Sequence, residues 1–403
     1  MAFKKNGWLN KNILGFGLAS LMSDFGHEMT TAILPSFLVS LVGLTNAPAL
    51  LGIISGVSDA AASIFKLLSG VLSDRFNARK PFMILGYTLT AVFIALIGTV
   101  HTVWQITLYK TLAWLGKGLR EPARDAAIAE TIAPAYYGRA FGFQRAMDTM
   151  GAILGPLCAF FLIQVVALKT IFFLAFIPGI LAVFFIIFFT QESKKLEQVS
   201  LFKAGFFQQF LILPKRFLFF VVVMFVFGIG NFNRVLLLLY AQEHLVIAKD
   251  SFLEISASVI ALYTFFNIVR SVSEYSIGYL SDFVDRRLLL AFLGIALFAL
   301  LSFFMMFHSS SLLFLIFLFT LCGISTAAVT ALEKAFAGDL LLTAPHLRAT
   351  GFGLLQTIDG IGDLVSSVVV GFLWSSIAAW AGFVYAMLVS VLAFILLLLM
   401  PKD

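Results

Sequence analysis

The chain is 403 residues long, 61% hydrophobic and only 12% charged, with a formal net charge of +6. A soluble domain carries about 25% charged residues, so no soluble fold of this length would hide this much apolar surface, and the medium around the chain is lipid. The positive balance does not indicate nucleic acid, because most of the charges stand at the ends of apolar segments.

In chain order, apolar windows separated by polar turns predict helices over 13–42, 50–73, 81–100, 104–132, 139–165, 170–190, 217–241, 253–281, 288–307, 311–337, 349–376 and 380–400. Lys4, Lys5 and Lys11 precede the first as they would in a signal peptide. Asp24 and Glu28 interrupt its apolar run, however, so it reads as the first membrane span. Cys158 and Cys322 fall inside apolar windows without metal-ligand spacing and read as small buried side chains. The longest polar stretch, 191–216, reads as a cytoplasmic linker between an N-terminal six-helix bundle over 1–190 and a C-terminal one over 217–403. With both termini in the cytoplasm, sixteen Lys and Arg fall on that side and only Lys169 and Lys249 on the other, which is the asymmetry that short loops follow. The expected fold class is an all-α membrane protein of twelve transmembrane helices.

A charge at the bilayer centre costs at least about 2.5–3.5 kcal/mol on insertion scales, so ionisable residues inside these windows face a cavity or a partner. On helix 1, Asp24, His27, Glu28 and Thr31 share one face, either as a hydrogen-bonded seam or, in the preferred reading, as a cavity wall. Two carboxylates one turn apart repel, which suits one of them to carry a proton. On helix 4, Lys110, Lys117 and Arg124 stand seven apart and form a basic stripe, with Arg120, Glu121 and Pro122 close to it. Arg124 and Asp125 read equally well as part of a gating latch. Helix 5 carries Gln144 and Asp148 in line with Gly151 and Gly155, whose small size serves helix packing, and Arg145 beside them. The second half continues with Asn231, Asn233 and Arg234 on helix 7, Asn267, Arg270 and Glu274 on helix 8, Glu333 and Lys334 on helix 10, and Gln356, Asp359 and Asp363 on helix 11. Arg270 and Glu274, one turn apart, also suit each other as an ion pair.

The chain repeats itself. Gly70-Val-Leu-Ser-Asp74-Arg75 returns as Gly278-Tyr-Leu-Ser-Asp282, an offset of 208, and Arg139-Ala-Phe-Gly142-Phe returns as Arg348-Ala-Thr-Gly351-Phe, an offset of 209. Two halves in parallel repeat follow. Charges differ at equivalent positions, Lys66 against Glu274 and Arg124 against Glu333, so the halves share a scaffold and not a binding surface. Over its whole length the chain resembles the major facilitator superfamily, most closely in Gly70 to Lys80, which is similar to that family's loop between helices 2 and 3. The resemblance implies a gate that includes Gly70, Asp74, Arg75, Arg124, Asp125, Gly278, Asp282 and Glu333. Gly151-Ala-Ile-Leu-Gly155-Pro156 is similar to the family's antiporter motif, with Ala159-Phe160 where a glycine pair usually follows.

The function expected is secondary active transport by alternating access. Basic groups on helices 4, 5, 7 and 8 favour a small anionic or zwitterionic organic solute in a cavity lined by Asp24, His27, Glu28, Lys110, Lys117, Arg120, Gln144, Arg145, Asn231, Arg234, Asn267, Arg270 and Gln356. Protons would couple through Asp24 or Glu28, with Asp148 and Asp359 next in line. No Walker-type loop, zinc spacing or nucleophile constellation is present, which sets aside an ATP-driven pump and an enzyme, and no cofactor beyond the proton gradient is expected. Export by antiport is preferred, while uptake by symport of a metabolite or siderophore, multidrug efflux, and a non-transporting receptor stay open. The partners expected are a small-molecule substrate and the lipid bilayer, with no nucleic acid, for a monomer in a bacterial inner membrane.

Overall fold

A computed structural model of the chain describes residues 9–76, 78–132, 137–192, 213–246, 251–281, 283–307, 309, 311–341 and 348–401, and among them the regular structure is helical throughout. Helix α1 (Lys11–Val42) starts where the Asn10 side chain accepts from the Ile13 amide at 3.0 Å and stops at Gly43, whose φ of +75° suits a residue without a Cβ. It is followed by α2 (Ala47–Arg75), α3 (Lys80–Leu96) with a 3₁₀ turn (Ile97–Thr99), and α4 (Val103–Thr131), which Thr102 and Gln105 open as a reciprocal capping box. Next come α5 (Tyr137–Leu162), α6 (Leu168–Leu174) and α7 (Phe176–Phe189), then α8 (Lys215–Gly228), α9 (Arg234–Val246) and α10 (Phe252–Leu280). Helix α11 (Arg286–Leu289) runs through a π-helical segment (Leu290–Ala296) into α12 (Leu297–Phe304). Helices α13 (Leu312–Leu340), α14 (Arg348–Ser376) and α15 (Ala379–Leu399) complete the chain.

Ten helical spans among the described residues are long and apolar enough to cross a membrane. Two of the expected windows fall outside that set, for different reasons. Helix α4 has the length, but six ionisable residues between Lys110 and Asp125 deprive it of a clean apolar window. The window 217–241, expected as one helix, is two, because the chain leaves the helix at residues 229–233. The backbone groups that this break frees are taken up locally. The Tyr385 hydroxyl donates to the Ile229 carbonyl at 2.7 Å, Ser366 donates to the Asn231 carbonyl at 3.0 Å, and the Asn233 side chain caps α9 by accepting from the Val235 amide at 3.0 Å.

By contacts the chain forms two compact units. The first comprises Met1–Gly43, Val57–Leu196 and Lys249–Thr264, the second Leu44–Gly56, Glu197–Ala248 and Phe265–Asp403. In the first, α1 packs along α5 so closely that a Cβ on Gly155 would sit 2.4 Å from the Phe25 carbonyl oxygen, and one on Gly151 2.5 Å from that of Leu21. Helix α4 approaches α2 in the same way at Gly118, whose Cβ would meet the Ala62 carbonyl oxygen at 2.5 Å. Small residues thus set the separation at which the polar side chains of these helices meet. In the second unit, α13 packs on the π-helical segment, and Ser325 donates to the Gly294 carbonyl at 2.7 Å.

The repeat is visible in what equivalent side chains do. In the first unit Arg79 pairs with Glu130 at the end of α4, with Nη2 2.9 Å from Oε1, while Lys80 donates to the Ile187 and Thr190 carbonyls at the end of α7 at 2.8 and 2.7 Å. In the second, Arg286 pairs with Asp339 at the end of α13 at 2.8 Å, while Arg287 donates to the carbonyls of Leu397, at 2.8 Å, and Leu398 at the end of α15. Adjacent basic residues divide the same work in each: one binds a carboxylate, and the next satisfies the carbonyls at a helix C-terminus, where cations are favoured.

Candidate functional site

The first unit gathers most of the charged side chains that the apolar windows contain. On α1, His27 and Glu28 are buried, with Nδ1 of the first 3.8 Å from Oε1 of the second. The hydroxyl of Tyr263, in the part of α10 that belongs to this unit, donates to Glu28 Oε2. Asp24, one turn earlier, is partly open, and its Oδ1 lies 3.8 Å from Arg120 Nη2. Arg120 is buried, stacks with its guanidinium 4.5 Å from the centre of the Tyr87 ring, and donates to Thr90 at 3.0 Å. This cation is therefore held by α3 before it serves Asp24.

The three basic residues expected as a stripe on α4 have three different settings. Lys110 is buried, lies 5.0 Å over the Trp114 ring, and lines a small crevice with Thr30, Thr31 and Phe172 among its walls. Trp114 donates to Asp59 on α2 at 2.7 Å and meets the His27 ring edge-on at 4.5 Å. Lys117 has its nearest carboxylate on its own helix, with Nζ 3.8 Å from Glu121 Oε1. The other oxygen of that carboxylate is 2.8 Å from Lys66 Nζ on α2. Arg124 donates to Ser20 at 3.0 Å and lies 3.1 Å from Asp125 and 3.9 Å from Asp148, while Gln144 donates both to Ser20, at 3.1 Å, and to Asp148. Helices α1, α4 and α5 thus share one polar seam through Ser20. Arg145 is exposed on α5.

The second unit holds fewer charges inside its apolar windows. Arg270 pairs with Glu274 at 3.0 Å, the alternative that the one-turn spacing offered. Asn267 is buried, and Asn231, Arg234, Gln356 and Asp363 are half-buried. Glu333, buried on α13, shares a side-chain hydrogen bond with Asp359 on α14, whereas Lys334 is exposed. Of the residues expected to gate, Asp282 and the side chains of Asp74 and Arg75 lie outside the described residues, as do the surroundings of Gly70, and among the described residues nothing lies within 4 Å of a Cβ built on Gly278.

Sequence reasoning missed Ser20, Tyr87, Thr90, Trp114 and Tyr263 as members of this network and did not place Lys66 beside Glu121. Hydroxyl and aromatic groups inside apolar helices look like ordinary packing residues. The recoverable signal was Asp59 and Lys66, two charges two turns apart on α2 and opposite in sign.

A sequence profile described as the Major Facilitator Superfamily matches residues 16–269. An uncharacterised MFS-type transporter of Methanocaldococcus jannaschii is 31% identical over 393 residues, covering 97% of this chain and 95% of that one. The multidrug resistance protein MdtH of Escherichia coli is 30% identical over 118 residues, 29% of each chain. In structure the chain is similar to the nucleoside transporter NupG, with a TM-score of 0.75 and 14% identity over 97% of this chain and 100% of that one. It is also similar to a D-xylose-proton symporter, with a TM-score of 0.74 and 15% identity over 98% of each. At these identities the structural likenesses speak for the fold alone.

Proposed function

The chain belongs to the major facilitator superfamily, an integral multi-pass membrane transporter and not an enzyme, and on that premise we propose that it moves a small anionic or zwitterionic organic solute by proton-coupled alternating access. The observation that carries this reading is the seam of charged residues on α1, α4 and α5, which lies inside helices that otherwise suit lipid. Asp24, Lys117, Glu121 and Asp148 are neither buried in full nor turned to the outside, as groups that line a water-filled path would be. The proton carriers in this proposal are Asp24 and Glu28, with Asp148 as a further candidate and Asp359, beside Glu333, as another. Arg124 and Asp125 serve the gate together with Gly70, Asp74, Arg75, Gly278, Asp282 and Glu333.

The proposal includes twelve spans with both termini in the cytoplasm, six-helix bundles over 1–190 and 217–403, and a monomer in a bacterial inner membrane that needs no cofactor. Its support is the distribution of basic residues over the loops and the repeated work of Arg79-Lys80 and Arg286-Arg287. Export by antiport is the preferred direction, from the likeness of Gly151 to Pro156 to the family's antiporter motif. Multidrug efflux is a second reading, supported by the 118-residue likeness to a multidrug resistance protein.

The test is flux in proteoliposomes under an imposed pH gradient, with a panel of organic anions, zwitterions, cations and a lipophilic dye read by mass spectrometry and fluorescence. A solute that moves against the proton flow establishes antiport, one that moves with it symport, and dye movement favours the second reading. No gradient-driven flux of any member would overturn proton-coupled transport of such solutes.

A further inference from the structure

We propose that Thr90 is a positioning residue for proton coupling: by accepting a hydrogen bond from Arg120 it holds that guanidinium short of Asp24, so that Asp24 takes up a proton more readily than a paired carboxylate does. This rests on the proton-coupled reading above, in which Asp24 is one of two carriers, and deepens it.

The stand-off is built into the packing of the first unit. Helices α3 and α4 cross with their backbones nearly touching, since a Cβ on Gly86 would meet the Gly116 carbonyl oxygen at 2.5 Å and the Arg120 Cβ at 2.8 Å. Thr90, one turn beyond Gly86, directs its hydroxyl hydrogen to the carbonyls of Gly86 and Ala113, at 3.0 and 3.1 Å. Its oxygen lone pairs are thereby left for Arg120 Nη1, at 3.0 Å. The Tyr87 ring, 4.5 Å from the guanidinium, supports it from the same helix. On the other side, a Cβ on Gly151 would lie 3.1 Å from the Cβ of Asp24, so α5 backs the carboxylate. Between these anchors Arg120 Nη2 and Asp24 Oδ1 are 3.8 Å apart, outside hydrogen-bond distance.

Neither group is satisfied at that separation. Arg120 is 2% exposed and its Nε has no partner among the described residues, while Asp24 accepts no hydrogen bond among them. A guanidinium with unused donors closes on a neighbouring carboxylate unless something else holds it, and here the Thr90 hydroxyl does so. The sign follows: a closer cation favours the ionised carboxyl, so holding Arg120 back favours the protonated one. The other charges near Asp24 do not depend on Thr90. The fields of Asp148 on α5, Lys117 on α4 and Glu28 on α1 reach it, and His27 shares α1 with it. Glu121 pairs with Lys66, Arg124 is held by Ser20 and Asp125, and Lys110 and Asp59 both meet Trp114. Helices α3, α6 and α7, which also pack on α1, bring only the Tyr87 phenol, Lys80 and Lys169 as ionisable groups.

The experiment reads protonation of Asp24 in the purified full-length protein without requiring transport. A hydrophobic carbodiimide attacks the protonated carboxyl; mass spectrometry gives the pH of half-maximal labelling, with Asp24 told from Glu28 by peptide fragmentation. In Thr90→Val, Arg120 should close on Asp24 and lower that midpoint by about one pH unit or more, and Thr90→Ala serves the same comparison should the valine variant not fold. Thr90→Ser, which keeps the hydroxyl, and Tyr87→Phe, which keeps the ring, should leave it in place, and Arg120→Gln should raise it. A role in packing alone would lower the melting temperature of Thr90→Val without moving the titration, and an unmoved or raised midpoint overturns the assignment. So does an Asp24 that takes no label at any pH at which the protein stays folded. The transport reading fails separately: proton-driven flux with an unmoved titration would keep it and remove Thr90, whereas a shifted titration without any gradient-driven flux would do the opposite.

Discussion

Arg120 and Lys117 are three residues apart on α4, and a neutralising substitution would look alike at either in sequence. Their settings predict different outcomes. Arg120 is buried, donates to Thr90 at 3.0 Å and stacks 4.5 Å from the Tyr87 ring, so Arg120→Lys loses the planar fork and the stacking although it keeps the charge. A charged hydrogen bond is worth about 1.5–3 kcal/mol, and Asp24, being partly open, recovers some of the loss from water. Lys117 donates no hydrogen bond among the described residues, so Lys117→Gln removes little that holds the fold together. Melting of the solubilised protein should therefore fall further in Arg120→Lys than in Lys117→Gln, and the reverse order would show that Lys117 has a structural role. Lys66→Gln should act at the same place from the other side. It frees Glu121 to pair more closely with Lys117, which lowers affinity for an anionic solute without unfolding the protein; unchanged affinity would show that Lys117 does not meet the solute's charge. What sequence could read here was contact along one helix. Arg270 with Glu274, and Lys117 with Glu121, stand four apart and are legible from helical geometry. Trp114 with Asp59 and Tyr263 with Glu28 join different helices, and no periodicity in a single chain announces such partners.

At the scale of elements, the glycines of α5 are not equivalent. A Cβ on Gly155 would meet the Phe25 carbonyl oxygen at 2.4 Å and the Met29 amide nitrogen at 2.8 Å, both backbone atoms of α1 that cannot turn aside. Gly155→Ala must push α1 off α5 or strain both, and such overpacking costs about 1–3 kcal/mol, enough to lower the melting midpoint by a few degrees. Gly142 lies on the same helix with nothing among the described residues within 4 Å of a Cβ built there, so Gly142→Ala should leave the midpoint unchanged or raise it, by about 0.5–1 kcal/mol of recovered helix propensity. Equal losses in the two variants would refute close α1–α5 packing as the reason for Gly155. Most helices lie within a few residues of their windows because the hydrophobic run, the caps and the polar turns all point the same way. The break at 229–233 was not legible. Asn231 reads as a cavity residue with Asn233 beside it on one helix, whereas Asn233 caps α9 and the carbonyl of Asn231 is bound by Ser366, and the cue that remained was the pair Gly228 and Gly230.

For the whole molecule, the two halves do the same structural work at Arg79-Lys80 and Arg286-Arg287 but divide their chemistry unequally. The first unit concentrates the charges of α1, α4 and α5, and within it Asp24 and Glu28 have separate settings. Asp24 is partly open and lies 3.8 Å from Arg120; Glu28 is buried, receives the hydroxyl of Tyr263 and has His27 3.8 Å away. Of the two carriers proposed, the buried carboxyl that already shares a hydrogen bond is the first to test for proton exchange. Neutralising Glu28 should therefore uncouple the protein without disabling it. At a difference of one pH unit, a proton supplies about 1.4 kcal/mol, which supports about a tenfold solute gradient for one-to-one coupling. In Glu28→Gln that accumulation should fall to about onefold, while exchange of labelled for unlabelled solute across vesicles with no pH gradient continues at a similar rate. Tyr263→Phe, which leaves the carboxyl in place and removes its donor, should shift the pH at which accumulation is half-maximal and keep its extent. If Glu28→Gln accumulates solute as the unmodified protein does, the proton travels by another carboxyl. Asp24, 3.8 Å from Arg120, is then the first position to neutralise, followed by Asp148, hydrogen-bonded to Gln144, and Asp359, hydrogen-bonded to Glu333.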